Sequence, residues 1–217
     1  MQSLSEENYL KAIYSLSRQS SDKVSVKLIS DALNNNPASV IDMLKKLTNK
    51  KLIHYDKFKG AKLSEKGLKI ALYIVRKHRL WEVFLQEKLG YKWDEIHDIA
   101  EQMEHIKHED LVERLDKFLG FPEYDPHGDP IPKSNGQLPD TVKILLSDID
   151  IGKTCRVAAV KDTSTIFLQY LRQLSVSIGT KIKVVDKIAF DRSMSIQIGK
   201  DIKTTVSQKF AESLLVD

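Results

Sequence analysis

The spacing of hydrophobic residues predicts helices along the first part of the chain. Between residues 4 and 18, Leu10 and Ile13 begin a stripe at the three- and four-residue spacing of one helical face. Residues 26–33 and 37–49 repeat this spacing, and three consecutive asparagines separate them. Two helices joined by so short a turn predict a helix-turn-helix.

A β-hairpin is predicted directly after these helices. Residues 52–55 and 61–63 read as its strands, with a lysine-rich turn between them. A hairpin in this place is typical of the wing of a winged helix. Short side chains at the start of the second helix permit close approach to a DNA groove, and lysines reach phosphates. The residues expected at the DNA-facing surface are Ser25, Pro37, Ala38, Ser39, Asp42, Lys45, Lys46, Lys57 and Lys59.

A long helix without glycine or proline is predicted over residues 94–119, because Gly120 and Pro122 end it. Its expected apolar face is formed by Ile96, Ile99, Ala100, Met103 and Ile106. Another arc of the same helix collects side chains that bind metals, namely His97, Glu101, Glu104 and His105. Four such groups on one side of a rigid helix predict a metal site, although a solvated polar face has the same composition.

The preceding helix, predicted over residues 76–89, repeats this pattern with His78 and Glu82 four positions apart. Apolar residues surround both, so the helix is expected to be buried, and a buried histidine and glutamate need partners. A metal shared with the next helix would serve both residues. The two helices are expected to pack as an antiparallel pair, with the remaining apolar surface forming a homodimer interface.

The chain changes character after residue 120. Residues 120–139 hold five of the six prolines and predict a linker, in which Asp125 and His127 are either turn residues or metal ligands. Short alternating segments in residues 140–217 predict a small β-barrel without a catalytic motif. The expected domains are a DNA-binding domain at 1–72, a helical domain at 73–122, a linker at 123–140 and the barrel at 141–217.

Charge is distributed unevenly along the sequence. Residues 1–76 hold 14 lysines and arginines against 7 acidic residues, whereas residues 77–125 hold 7 against 13. A basic first third favours a polyanion such as DNA, and an acidic middle favours cations. We expect no membrane span, secretory signal or disulfide, since apolar runs are short and Cys155 is the only cysteine, and the cytoplasm is the expected compartment.

These residues together resemble the diphtheria-toxin-repressor family of iron- and manganese-dependent regulators, especially its manganese-responsive, three-domain branch. The resemblance runs essentially from end to end. It is carried by NYLKAIYSL, NPASVIDMLKKL, LSEKG, RKHRLWEVFL, IHDIAEQMEHIKHEDLVERLDKFLGFP and DPHGDPIP. It implies an α+β protein with an N-terminal winged helix-turn-helix, a helical dimerisation domain and a C-terminal SH3-like β-barrel.

The resemblance also implies two metal sites per subunit, for Mn(II) or Fe(II). The first would use Glu101, Glu104 and His105 with Asn8, where the manganese branch usually has an aspartate. The second would draw on His78, Glu82 and His97, or on the residues that match ligands of three-domain members, Asp125, His127 and Asp162. Lys11 occupies a place where some manganese regulators have a carboxylate, which argues against a tight two-manganese cluster.

The resulting expectation is a metal-dependent repressor of metal-uptake genes that binds double-stranded operator DNA as a homodimer. It would need no membrane and no small organic substrate, and it would not be an enzyme. Two alternatives are open. One is a winged-helix regulator with a structural metal or another effector, and the other is a di-metal hydrolase, which would leave the basic winged helix unexplained.

Overall fold

The computed structural model describes residues 2–19, 23–108, 110–140 and 142–217. The chain divides into two compact units. The first comprises the chain up to His78 together with Glu104–His108 and Pro132–Leu138, and the second comprises Arg79–Met103, Glu109–Ile131 and Pro139–Asp217.

The helices and strands follow one another along the chain in both units. The helices are α1 (Leu4–Gln19), α2 (Val26–Leu33), α3 (Pro37–Asn49), α4 (Glu65–Leu89), α5 (His97–Met103), α6 (Leu111–Phe118), α7 (Thr165–Gln173) and α8 (Gln208–Ser213). The strands are β1 (Ile53–Asp56), β2 (Gly60–Leu63), β3 (Ile144–Leu145), β4 (Thr154–Val160), β5 (Lys181–Lys187), β6 (Met194–Ile198), β7 (Ile202–Val206) and β8 (Leu214–Val216). A 3-10 turn covers Leu146–Asp148.

The first unit contains the predicted helix-turn-helix, formed by α2 and α3. Ser25 caps α2 by accepting a hydrogen bond from the Leu28 amide, and Asn36 caps α3 by accepting one from Ser39. Pro37 lies in the first turn of α3, where its missing amide hydrogen costs no helical hydrogen bond. Buried residues of α1, α2 and α3 share one apolar core with the start of α4.

The antiparallel pair β1–β2 forms the predicted wing and leads into α4. Ser64 caps α4 by accepting a hydrogen bond from the Gly67 amide. A Cβ on Gly67 would lie 1.9 Å from the Leu52 carbonyl oxygen, so only glycine lets α4 pass this close to the wing.

The second unit contains a six-stranded antiparallel sheet in the order β3-β8-β4-β5-β6-β7. Alternate residues of β5 and β6 are buried, as the alternating sequence predicts. They pack with α7 and α8 in one core, while the last turns of α4 pack with α5 and α6 in another. Near the end of the chain, residues 208–216 form α8 and then β8.

The prediction of one helix over residues 94–119 is wrong, and so is that of a pair of long antiparallel helices. The helix is divided into α5 and α6, and residues 104–108 belong to the first unit. Residues 104–110 are mostly charged, so they offer no apolar stripe to continue α5, and Glu104 is fully buried outside the helix. Ile106, predicted on the apolar face, is 44% exposed.

Within the described ranges, no helix is both long enough and apolar enough to cross a membrane.

Candidate metal centres and DNA-facing surface

Among the described residues, histidines and carboxylates come together in both units. We call the group in the first unit the α1 cluster, and it consists of Glu7, Lys11, His78, Glu104 and His105. We call the group in the second unit the linker cluster, and it consists of Glu82, Asp125 and His127.

In the α1 cluster, Glu104 Oε2 contacts a nitrogen atom of each of two side chains, Lys11 and His78. Glu104 Oε2 accepts a hydrogen bond from Lys11 Nζ at 2.6 Å and lies 2.7 Å from His78 Nδ1. Burial by itself would raise the pKa of Glu104, but the hydrogen bond with His78 and the charge of Lys11 outweigh it. The pKa of this fully buried carboxyl group is therefore lowered, and the group is a carboxylate at neutral pH.

The other oxygen of Glu104 has no such partner. Glu104 Oε1 is buried without a hydrogen bond among the described residues, and it lies 3.8 Å from His105 Nε2. His105 Nδ1 lies 2.7 Å from Glu7 Oε2, so a proton on Nδ1 leaves the Nε2 lone pair free to bind a metal. Two ligands that each hold an ion at about 2.1 Å are at most roughly 4.2 Å apart, so this pair of atoms fits one ion.

Asn8 lies on α1 beside Glu7, and its side-chain oxygen is also buried without a hydrogen-bond partner in the described part of the chain. A buried amide oxygen without a partner costs free energy that a ligand can recover. Asn8, Glu104 and His105 thus offer one neutral oxygen, one carboxylate oxygen and one imidazole nitrogen.

The linker cluster joins α4 to the proline-rich linker. One ligand atom from each of Glu82, Asp125 and His127 lies within 4.8 Å of the others, and all three residues are buried. His127 Nδ1 lies 3.7 Å from Glu82 Oε1, a distance that two ligands of one ion can span. The residues present therefore fit a divalent cation with oxygen and nitrogen ligands.

The charges of the linker cluster are poorly balanced. Burial, together with the charges of Glu82 and Asp129, raises the pKa of Asp125 to about 7, although the Arg79 guanidinium opposes this shift. Burial lowers the pKa of His127, but its contact with Glu82 outweighs burial and raises the pKa to about 9. Both groups thus tend to hold protons, which a bound cation would replace.

Neighbouring backbone groups orient the linker residues. His127 Nε2 donates a hydrogen bond to the Trp93 carbonyl oxygen at 2.9 Å, which directs Nδ1 towards Glu82. Asp125 Oδ1 accepts backbone hydrogen bonds from His127 and Asp129, so the turn chemistry expected of Asp125 is present, and it does not involve Oδ2. Arg79 Nε lies 3.3 Å from that oxygen.

The other predicted ligands of the second unit lie near or outside the linker cluster. His97 Nδ1 is 3.5 Å from Glu82 Oε1, and His97 Nε2 is 3.7 Å from Glu101 Oε1. Asp162 instead accepts a hydrogen bond from the Ser164 amide in the turn before α7, and none of the described metal-binding groups includes it. His78 bonds to Glu104 in the first unit, so its role with Glu82 and His97 stays a prediction.

The predicted DNA-facing residues are exposed on the first unit. Their lysines differ in their contacts. Lys46 Nζ lies 3.0 Å from Glu6, and Lys45 Nζ lies 3.4 Å from Asp42. Asp56 holds the tip of the wing, because its carboxylate accepts hydrogen bonds from the backbone amides of Phe58 and Lys59.

Glu7 and Arg79 were not predicted to take part in these clusters, and Lys11 entered the prediction only through the family resemblance. Glu7 and Lys11 are four positions apart on α1, so helical spacing could have placed them on one face with Asn8. Helical periodicity could not have identified Arg79. Its contacts with Asp125, Asp129 and the Pro130 carbonyl oxygen depend on the path of the linker.

Three family models match the chain in order. Residues 1–61 match the N-terminal DNA-binding domain of iron-dependent repressors, and residues 64–133 match their metal-binding and dimerisation domain. Residues 144–217 match the FeoA domain. The first two are domains of DNA-binding repressors and not of enzymes.

Individual relatives agree with these matches. The iron-dependent repressor IdeR of Mycobacterium tuberculosis is 32% identical over 126 residues, which cover 58% of this chain and 54% of IdeR, so the match spans about half of that relative. The regulator MntR of Oceanobacillus iheyensis is 33% identical over 54% of this chain and 78% of its own length.

A solved structure of a manganese-dependent transcriptional repressor in complex with manganese extends the similarity to nearly the whole chain. It is 33% identical, covers 97% of this chain and 98% of its own, and superimposes with a TM-score of 0.89. The resemblance and the α+β fold class expected from the sequence are confirmed. With two repressor domains and a FeoA domain in this order, the chain belongs to the family of iron-dependent repressors.

Proposed function

We propose that this chain is a metal-activated transcriptional repressor that binds double-stranded operator DNA and controls metal-uptake genes. The observation that carries the proposal is the linker cluster, where two buried carboxylates and a buried histidine converge within 4.8 Å. Such a group is costly to bury unless a cation shares its charge.

The donors favour Mn(II) or Fe(II) as the effector. Carboxylate, amide and imidazole donors without a thiolate suit both ions, and selectivity among divalent metals then depends on geometry and supply. We propose two sites per subunit. The linker cluster would hold one ion, and Glu104 and His105, with Asn8 as a further donor, would hold the other; His78, His97, Glu101 and Asp162 remain proposed contributors.

A bound ion would supply positive charge that the facing carboxylates share. In the first unit, α1 connects the α1 cluster to the helix-turn-helix. Glu7 contacts His105 on one side, while the adjacent Glu6 lies 2.8 Å from Lys50 and 3.0 Å from Lys46. Lys46 belongs to α3, and Lys50 is its C-cap. Helix α1 therefore contacts both the α1 cluster, through Glu7, and the end of α3, through Glu6.

Fixing α3 reduces the conformational entropy lost when DNA is bound, which is how a metal could raise operator affinity. A tenfold shift towards the competent form needs a preference of about 1.4 kcal/mol. We propose that the repressor acts as a homodimer, with its two recognition helices about one DNA turn, roughly 34 Å, apart.

We further propose that the protein acts in the cytoplasm, that it does not bind a membrane, and that it has no small organic substrate. The domain boundaries 1–72, 73–122, 123–140 and 141–217 are part of the proposal, and the matches to three separate domain models at residues 1–61, 64–133 and 144–217 support a modular chain.

Fluorescence anisotropy on the protein's own promoter DNA tests this function. At fixed salt, binding would be compared with Mn²⁺, with anaerobic Fe²⁺, with Zn²⁺ and with EDTA. We expect tight binding only with metal, and the order of the metals would identify the effector. A scrambled DNA duplex of equal length controls for the electrostatic binding that any basic protein shows.

Equal binding with EDTA would overturn the proposal and favour a regulator whose metal is structural or whose effector differs. Hydrolysis of phosphodiesters or peptides with Mn²⁺ would instead support the di-metal hydrolase, which the matched repressor domains disfavour.

A further inference from the structure

The α1 cluster already contains a cation. The ammonium group of Lys11 lies 2.6 Å from Glu104 Oε2 and 3.3 Å from His78 Nδ1. Its side chain is only 16% exposed and that of Glu104 is not exposed at all, so solvent screens this ion pair weakly.

A second buried ammonium group lies nearby. Lys77 is 5% exposed and interacts electrostatically with Glu7 and Glu104. Counting formal charges, Glu7 and Glu104 are balanced by Lys11 and Lys77 before any metal binds. A divalent ion added to this group therefore meets no net negative charge, in contrast to the usual binding site for a hard cation.

Lys11 also occupies only one side of Glu104. It takes Oε2, whereas Oε1 faces His105 Nε2 at 3.8 Å and has no hydrogen-bond partner among the residues described. The atoms that remain for a metal, chiefly Glu104 Oε1 and His105 Nε2, form a site for one ion with few ligands, next to the Lys11 ammonium group.

We propose that Lys11 is a resident cation of the α1 cluster, which holds Glu104 and His78 together without metal and limits the cluster to one weakly bound divalent ion. This inference rests on the proposed metal-dependent function. It assigns the tighter of the two proposed sites to the linker cluster, and it makes Lys11 the residue that sets the metal concentration at which the α1 cluster fills.

Equilibrium dialysis with Mn²⁺ on the full chain tests the proposal, by comparing wild type with Lys11→Met. Methionine keeps much of the length of lysine and removes the charge. We expect the weaker Mn²⁺ dissociation constant to tighten at least about tenfold, because a like charge a few ångströms away is removed. Glu104→Gln should abolish one of the two Mn²⁺-binding events, and the dissociation constant that disappears is the one that belongs to the α1 cluster. Lys69→Met, an exposed lysine of the same unit, is the matched control and should change neither constant.

Thermal melting in EDTA provides a second measurement that does not depend on metal binding. Lys11→Met leaves the buried Glu104 carboxylate without its ammonium partner, so the metal-free melting temperature should fall by about 6–12 °C. The double variant Lys11→Met/Glu104→Gln removes both charges and should melt higher than Lys11→Met alone. Should Lys11→Met fold only when Mn²⁺ is added, that rescue would itself support a cation role.

Unchanged or weaker Mn²⁺ binding in Lys11→Met would overturn the proposal, since Lys11 would then not compete with the metal. A double variant no more stable than Lys11→Met would also overturn it. If wild type binds no Mn²⁺ and binds operator equally in EDTA, the proposed function fails; the melting comparison would still decide whether Lys11 serves as the cation of the cluster.

Discussion

The two clusters contain similar side chains but opposite electrostatics. In the α1 cluster the pKa of Glu104 is lowered, because His78 and the Lys11 ammonium outweigh its burial. In the linker cluster the pKa of Asp125 is raised to about 7, because burial and neighbouring carboxylates outweigh Arg79. The carboxylate of the first cluster thus holds an ammonium group, whereas in the second cluster the Arg79 guanidinium does not offset burial and the neighbouring carboxylates. Ligand identity alone does not tell how strongly a site needs metal, since the charge of the surrounding residues decides it.

The largest expected effect comes from removing Glu104. Glu104→Ala leaves the Lys11 ammonium and His78 without their buried partner, so we expect a loss of about 3 kcal/mol in the free energy of unfolding. Metal-stimulated DNA binding should be abolished. Urea unfolding in EDTA and anisotropy with Mn²⁺ measure the two effects, and a variant that still responds fully to metal would remove the α1 cluster from the mechanism.

The next effect concerns the backbone of the linker cluster. Gly128 has a φ of +82°, and a Cβ there would lie 2.1 Å from the Ala158 carbonyl oxygen. We expect Gly128→Ala to cost about 2 kcal/mol of stability and to weaken Mn²⁺ binding, because the linker that carries His127 must shift. Gly152→Ala also has a positive φ but open space around it, and it is the matched control. Equal losses in both variants would mean that backbone strain alone is responsible.

Asp125→Asn separates the clusters most directly. The amide oxygen can still accept the backbone hydrogen bonds from His127 and Asp129, so the turn should survive. We expect the tighter Mn²⁺ constant to weaken at least about tenfold, while metal-free stability changes by less than about 1 kcal/mol. Calorimetric titration and urea unfolding in EDTA measure these quantities. A large loss of metal-free stability would show that Asp125, like Glu104, depends on a resident cation.

The smallest effect lies outside both clusters. Lys57→Ala/Lys59→Ala removes two exposed charges from the wing, so operator affinity should fall several-fold and the salt dependence of binding should become shallower. The ratio of affinities with and without Mn²⁺ should remain unchanged, because neither lysine belongs to a cluster. A changed ratio would mean that the wing takes part in the response to metal.

The sequence predicts the repeating structure well. The short turn between α2 and α3, the hairpin β1–β2 and the alternation in β5 and β6 were predicted from local patterns, and the structure contains each of them. The break between α5 and α6 was not predicted, because it depends on Glu104 leaving the helix to meet residues distant in sequence. Helical periodicity carries no information about a contact between residues so far apart in the sequence.

The candidate ligands were easier to find than their surroundings. His78, Glu82 and Glu104 stand out as polar residues next to apolar stripes, and all are buried. Two neighbouring charged groups, Lys11 and Arg79, affect the charge of the clusters. Helical spacing places Lys11 on one face with Glu7 but does not show its contact with Glu104, and the contact of Arg79 with Asp125 depends on the path of the linker.

The contact between Lys11 and Glu104 also bears on the order in which the protein is assembled. The two residues are 93 positions apart, and closing a loop of that length costs about 4 kcal/mol in chain entropy. The helix-turn-helix and the wing depend on contacts between near neighbours, so they can form earlier, both in refolding and while the chain leaves the ribosome. We therefore expect the helix-turn-helix and the wing to exist for a time before the α1 cluster is complete.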